Sequence, residues 1–182
     1  MLSDFPEAAA PAPPLSDFLR SRGVSLRPAA RADLDFLRDL FADFRAPELL
    51  FIPWTPAQKR AFVEDQFRLQ HVHFTKYYVA GDFWVVDQTP PLGTTQSIGR
   101  LYLDRSAQPW RIVDIGLSAA TRGAGLGAAL IAWIQSQAQA AGSGVALQVA
   151  ENNPRAHALY LKMGFIHDGA PQAHHQPMIW RP

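Results

Sequence analysis

Two stretches decide how this chain folds: Arg122-Gly123-Ala124-Gly125-Leu126-Gly127, and Val149-Ala150-Glu151-Asn152-Asn153-Pro154-Arg155-Ala156-His157-Ala158-Leu159-Tyr160-Leu161-Lys162-Met163-Gly164-Phe165 after it. The first lies between a strand-like run, Arg111–Leu117, and a helical one in which Leu126, Leu130, Trp133, Ile134 and Gln137 follow helical spacing. Glycines at such a junction let backbone N–H groups turn toward a ligand with no Cβ in the way. The start of a helix adds unpaired donors and a partial positive charge, which together favour a phosphate. Arg122 adds a forked cation. A tight strand-to-helix connection uses the same glycines, and on this segment alone both readings stand.

Working outward, Val145, Leu147 and Val149 alternate as a strand, and Asn153-Pro154 supplies an N-cap and first helical position. Gly164 ends that helix, whose residues Ala156, Leu159, Tyr160 and Met163 share one face. Phe165-Ile166 and Met178 to Trp180 close the sheet. Upstream, Tyr77–Val86, Ser97–Leu103 and Arg111–Leu117 read as strands. Short turns around Pro90-Pro91 with Gly93, and from Ser106 to Pro109, make them consecutive and antiparallel. Before them come two helices. Leu34, Leu37, Phe41 and Phe44 form an apolar stripe opened by Asp33 or Arg31 and limited by Pro47. Thr55-Pro56 then starts a helix running to about Val72, with Phe62, Val63 and Phe67 inward. Val24–Pro28 reads as a short strand. Residues 1–22, rich in Ala and Pro, read as a tail or a peripheral wrap, and 23–182 as one mixed α/β domain with a mostly antiparallel sheet and flanking helices.

Composition agrees with a single domain. The chain has 182 residues, 48% of them hydrophobic, and a formal charge of +1 from 17 basic and 16 acidic residues. Such a balance gives no bulk reason to bind nucleic acid or an anionic membrane. Without cysteine there is no disulfide, thiol nucleophile or thiolate metal site. No apolar run is long enough to span a bilayer, and Asp4 and Glu7 stand where a secretory leader would be basic. A cytoplasmic protein is expected.

Gly123, Gly125 and Ala128 also satisfy the dinucleotide pattern G-x-G-x-x-A, with an acid, Glu151, about 20 residues further on. That pattern belongs after the first strand of a parallel sheet, whereas the strands before these glycines read as antiparallel. A Walker phosphate loop fails outright, since no Lys-Ser or Lys-Thr follows the glycines.

The two opening stretches, in this order and at this spacing, resemble the two hallmarks of the GNAT superfamily of N-acyltransferases. The first resembles its R/Q-x-x-G-x-G/A acetyl-CoA motif. The second resembles its strand, Asn, Ala three positions on, Leu-Tyr and Gly-Phe. This resemblance implies the GNAT fold from about Val24 to Pro182 and acetyl-CoA as co-substrate. It further implies that backbone groups from Ile115 through Leu117 to Ala119 pair with the pantetheine arm as an added strand. Backbone N–H groups of Arg122, Gly123, Ala124, Gly125, Leu126 and Gly127 would hold the pyrophosphate. Asn153 would contact the pantetheine, a role compatible with capping its helix, and Leu117 N–H would hold the oxyanion.

Amide formation from a thioester needs a neutral amine, oxyanion stabilisation and a proton for the thiolate. A lysine-like amine is only about 0.04% neutral at pH 7. Tyr160 is the candidate general acid; packing alone is its other reading. Asp114 interrupts the apolar run Ile112-Val113-Asp114-Ile115 and is the candidate base, with a structural ion pair as the alternative. His71, His73 and the pair His174-His175 are candidates for lining the acceptor site, and no metal site is expected. The apolar run from Leu49 to Trp54 reads as core, as an acceptor pocket or as a homodimer contact.

These readings converge on acetyl transfer to a small-molecule amine in a ternary complex, since no cysteine is available to carry the acyl group. A non-catalytic acyl-CoA sensor on the same fold and a nicotinamide-dependent oxidoreductase are the alternatives.

Overall fold

The computed structural model describes residues 4–7 and 11–182. Seven strands form one sheet: β1 (Val24–Pro28), β2 (Asp82–Gln88), β3 (Gln96–Asp104), β4 (Trp110–Leu117), β5 (Val145–Ala150), β6 (Ile166–His167) and β7 (His175–Trp180). Their spatial order is β1-β2-β3-β4-β5-β7-β6. Every neighbouring pair is antiparallel except β4–β5. Helices α1 (Asp17–Ser21), α2 (Leu34–Leu49), α3 (Pro56–Tyr77), α4 (Leu126–Ala140) and α5 (Pro154–Lys162) complete the fold.

Local chemistry sets the helix boundaries. Thr55 Oγ1 accepts from Gln58 N–H while Gln58 Oε1 accepts from Thr55 N–H, a reciprocal cap that fixes the start of α3. Asn153 Oδ1 accepts from Ala156 N–H at 3.1 Å and starts α5 with Pro154. Asp33 does not cap α2 in this way. Its carboxylate takes both terminal nitrogens of Arg27, which also binds Asp87, tying the start of α2 to β1 and β2. Arg27 holds the Asp33 carboxyl below its usual range through these hydrogen bonds.

Two elements run past their expected ends. Pro47 lies inside α2, and the residue whose carbonyl it leaves unpaired, Asp43, is exposed, so water can replace the missing bond. The Tyr77–Val86 run is part helix, part turn and part strand. α3 continues through Tyr77 because Val63, Phe67, His71 and Thr75 carry its buried stripe onward, and β2 begins only at Asp82.

Helices cover both faces of the sheet. Trp84, Leu101, Leu103, Ile112 and Leu117 pack with α4 residues Leu130, Ile131 and Ile134. Phe83, Val85 and Tyr102 face the other way, toward Phe74 of α3 and Tyr78 just past its end. A bulge at Tyr102/Leu103 lets Ile112 and Ile115 share one face in spite of their odd spacing. It also turns Asp114 toward the α2–α3 side.

The Ala/Pro-rich segment, where described, lies against the domain. Leu15 and Leu19 belong to the main core, Trp133 Nε1 donates to Pro14 O at 3.0 Å, and Phe5 packs edge-on against His71. Leu19 is fully buried. Leu19→Ala is therefore expected to lower unfolding free energy by about 2–5 kcal/mol in a urea titration. A segment held only loosely would give almost no change.

Candidate active site

β4 and β5 pair in parallel at Trp110↔Val145 and Arg111↔Ala146 only. Beyond that they part, and residues 112–115 face residues 147–150 across a cleft of about 440 Å³. Among the described residues neither facing edge has a strand partner, so backbone donors and acceptors are offered to whatever lies between.

Register identifies which groups are offered. Gly99 and Leu117 are opposite, and Ser118 N–H donates to Ile98 O at 2.7 Å. The peptide groups on either side of Leu117 thus bond to β3, while the N–H and C=O of Leu117 itself, and of Ile115 two residues back, point into the opening. Ala119 departs from this expectation. The strand ends at Leu117, and Ala119 lies in a 3₁₀ turn (Ala119–Thr121) with its carbonyl accepting from Arg122 N–H. A turn cannot continue the edge as a strand does.

The glycine turn follows. Gly123 (φ +86°) and Gly125 (φ +79°) both have left-handed backbone, where a side chain would be strained. A Cβ at Gly123 or at Gly127 would meet nothing within 4 Å, so the space above the turn is open. No side chain caps α4, which leaves its first N–H groups free for a ligand. Leu126 is buried and can contribute only its backbone. Arg122 is exposed but turns back: Nε donates to Leu117 O at 3.2 Å, and the guanidinium lies 5.5 Å from the centroid of the Phe44 ring. Ala124 sits exposed between the two left-handed glycines.

Asp114 and Ile115 line one wall of the cleft, and Asn153, Ala156 and Tyr160 the opposite one. Tyr160 is 8% exposed, and burial pushes its hydroxyl up to about 12, with the Asp114 charge adding to the shift. Asp114 is not a free carboxylate. Its Oδ2 meets the guanidinium of Arg100 as an ion pair without hydrogen-bond alignment. Arg100 is 2% exposed, donates to Gln70 Oε1 at 2.8 Å, and lies over the rings of Phe44 and Tyr102.

Arg100 was missed at the sequence level, although a signal was present. It interrupts the apolar β3 as Asp114 interrupts β4. The register Arg100↔Gly116 and Tyr102↔Asp114 makes the two charges diagonal neighbours on one face.

The histidines divide. His73 and His175 line the cleft. His71 is buried, stacked on Phe67 with ring centroids 6.0 Å apart. His174 is exposed, 3.5 Å from Glu151. Among the described residues no group of three or more His, Asp or Glu is placed to hold a metal ion, and no helix is long and apolar enough to cross a membrane. The Leu49–Trp54 run also divides: Leu49 is core, Leu50 and Phe51 are largely exposed, and Trp54 packs edge-on against Phe62. The dinucleotide reading fails on topology, because β4, which leads into the glycines, is antiparallel to β3.

Comparison with known proteins points the same way. The model of the Acetyltransferase (GNAT) family matches residues 37–165. Among solved structures, PaiA N-acetyltransferase from Thermoplasma acidophilum, in complex with coenzyme A, superposes with a TM-score of 0.63 at 13% identity, over 87% of this chain and 99% of that one. A histone acetyltransferase HPA2-related acetyltransferase from Corynebacterium glutamicum gives 0.57 at 23% identity, over 88% and 97%. Spermidine N-acetyltransferase from Vibrio cholerae, in complex with CoA and spermine, gives 0.52 at 18%, over 86% and 93%. At these identities the likeness is one of fold. No curated protein matches.

Proposed function

The chain belongs to the acetyltransferase (GNAT) family, and on that premise we propose that it transfers an acetyl group from acetyl-CoA to the amine of a small molecule, by direct attack within a ternary complex. The observation that carries this reading is the parting of β4 from β5, which leaves two unpaired edges with an open glycine turn at one end and Tyr160 inside.

In this reading the edge groups of Ile115 and Leu117 hold the pantetheine arm as an added strand, and Leu117 N–H faces the oxyanion. The backbone from Arg122 to Gly127 and the free start of α4 hold the pyrophosphate. Asn153 keeps the α5 N-terminus in place at the wall of the cleft. Bound acetyl-CoA supplies the activated acyl carbon. The amine nitrogen forms the C–N bond and the C–S bond breaks. The nitrogen's proton leaves to water, and Tyr160 gives the sulfur its proton and regains one from solvent. With the hydroxyl near 12 and a reference thiol near 8.5, that transfer is uphill by about 5 kcal/mol if taken alone. Proton donation therefore accompanies C–S cleavage rather than following it.

Asp114 acts here through Arg100. Asp114→Asn removes the charge that answers a buried guanidinium, and unfolding free energy is expected to fall by about 3–5 kcal/mol. An Asp114 that served only as a base would lose kcat with its thermal midpoint unchanged.

The reading as a whole is tested by following thiol release from acetyl-CoA against a panel of amines. Saturable, amine-dependent release is expected. Tight acetyl-CoA binding with no release for any amine would favour the non-catalytic sensor.

A further inference from the structure

The walls of the cleft select among amines. α3 contributes Gln70, His73 and Phe74, and Tyr78 follows just past its end. Phe74 lies 6.2 Å from Tyr78 and 5.9 Å from the buried Tyr102, edge-on to both, so the half-buried Phe74 and Tyr78 place an aromatic patch beside Gln70 on this wall. His73 extends it, 5.9 Å from Phe74.

Carboxylates are scarce by contrast. Asp114 is the one carboxylate among the described lining residues, and its charge is taken by the buried Arg100, which Gln70 also engages. The acids beside the β5–α5 turn, Glu48 and Glu151, do not line the cleft. Glu48 pairs with Arg45 at 2.9 Å and accepts from Asn152, and Glu151 faces His174. A polyamine brings several ammonium groups, each of which needs an anionic partner once desolvated. This cleft has none to spare. An acidic amine fares no better, since Arg100 is already paired. A single amine on a flat apolar body suits both observations, with its ring against Phe74 and Tyr78 and its nitrogen toward the Asp114–Tyr160 end.

We propose that the acceptor is an aryl or arylalkyl monoamine rather than a polyamine or an acidic amino acid. This inference rests on the acetyltransferase reading above. It differs from what the spermidine-acetylating structural neighbour acts on, which is consistent with a likeness confined to the fold.

The test compares kcat/KM for 2-phenylethylamine, spermidine and glutamate on the full chain, with acetyl-CoA affinity measured separately by calorimetry. Phenylethylamine is expected to exceed both others by about ten-fold or more, the scale of one well-placed apolar contact. Phe74→Ala is expected to raise its KM by about ten-fold and leave acetyl-CoA affinity unchanged. Phe74 is part of a packed cluster, so His73→Glu, at an exposed lining position, provides a second arm. An added carboxylate on the same wall should shift the spermidine-to-phenylethylamine ratio about ten-fold toward spermidine.

Spermidine or glutamate matching phenylethylamine in the wild type would overturn the inference while leaving acetyl transfer intact. So would an unmoved ratio in His73→Glu, or acetyl-CoA binding with none of the three amines accepted. Absence of acetyl-CoA binding overturns the acetyltransferase reading itself, and the acceptor assignment with it.

Discussion

Tyr160→Phe is expected to lower kcat by about 100-fold while acetyl-CoA affinity stays within about two-fold, the lower end of what a positioned general acid contributes. The substitution removes one oxygen from a ring that packs against Phe165 at 5.7 Å, and the ring itself remains. Packing is thereby separated from proton transfer: a tyrosine that only packed would leave kcat unchanged. Burial carries a pH signature too. With its hydroxyl near 12, Tyr160 stays protonated through any ordinary assay range, so the wild-type kcat profile carries no descending limb from it. Stability behaves differently. Below about pH 10 the folded and unfolded chains both hold the phenolic proton. Between about 10 and 12 the unfolded chain releases it first, so stability falls as pH rises. Tyr160→Phe removes that part of the alkaline fall and leaves the part due to Tyr102, which burial shifts in the same direction. Unfolding midpoints across the alkaline range would show the difference.

Gly127→Glu should separate binding from folding still more sharply. Gly127 lies in the first turn of α4 with ordinary helical backbone, and a Cβ there meets nothing. Replacing glycine in a helix gains up to about 1 kcal/mol, and a carboxylate near the N-terminus gains about 0.3–1 more. The thermal midpoint should hold or rise. Acetyl-CoA affinity should drop by about 100-fold or more, because the new charge occupies the space assigned to the pyrophosphate. A variant that binds acetyl-CoA normally would move the phosphates away from this turn. Arg122→Glu is a less clean probe, since Arg122 also ties the turn to Leu117 and Phe44.

Much of this arrangement is legible in the amino-acid order because it is local. Thr55-Pro56 and Asn153-Pro154 carry their caps within three residues, and the two left-handed glycines of the turn are glycines for a conformational reason. The single face shared by Ala156, Leu159, Tyr160 and Met163 packs on the main core as the spacing implies. What escapes is non-local. The parallel β4–β5 pairing joins strands separated by a helix, and its limit of two residue pairs leaves no local mark, although the cleft depends on it. Tyr77, Tyr78 and Val79 are strand formers by type, yet Tyr77 ends α3 and only Asp82 opens β2, because the buried stripe of the helix outweighs propensity. Prolines 11, 13 and 14 do keep their segment out of the sheet. They do not keep it from burying Leu15 and Leu19, which needs no sheet pairing. The Arg100–Asp114 pair was readable only in combination, as two opposite charges breaking adjacent apolar strands.

The central claim is that the opening between β4 and β5, with the glycine turn beside it, is an acyl-CoA site. Calorimetric titration of acetyl-CoA into the folded wild-type chain tests it most directly. One saturable site with a Kd on the order of micromolar, about −8 kcal/mol, is the predicted result. No saturable heat up to about millimolar acetyl-CoA, with the circular dichroism of a folded α/β protein intact, would contradict the account.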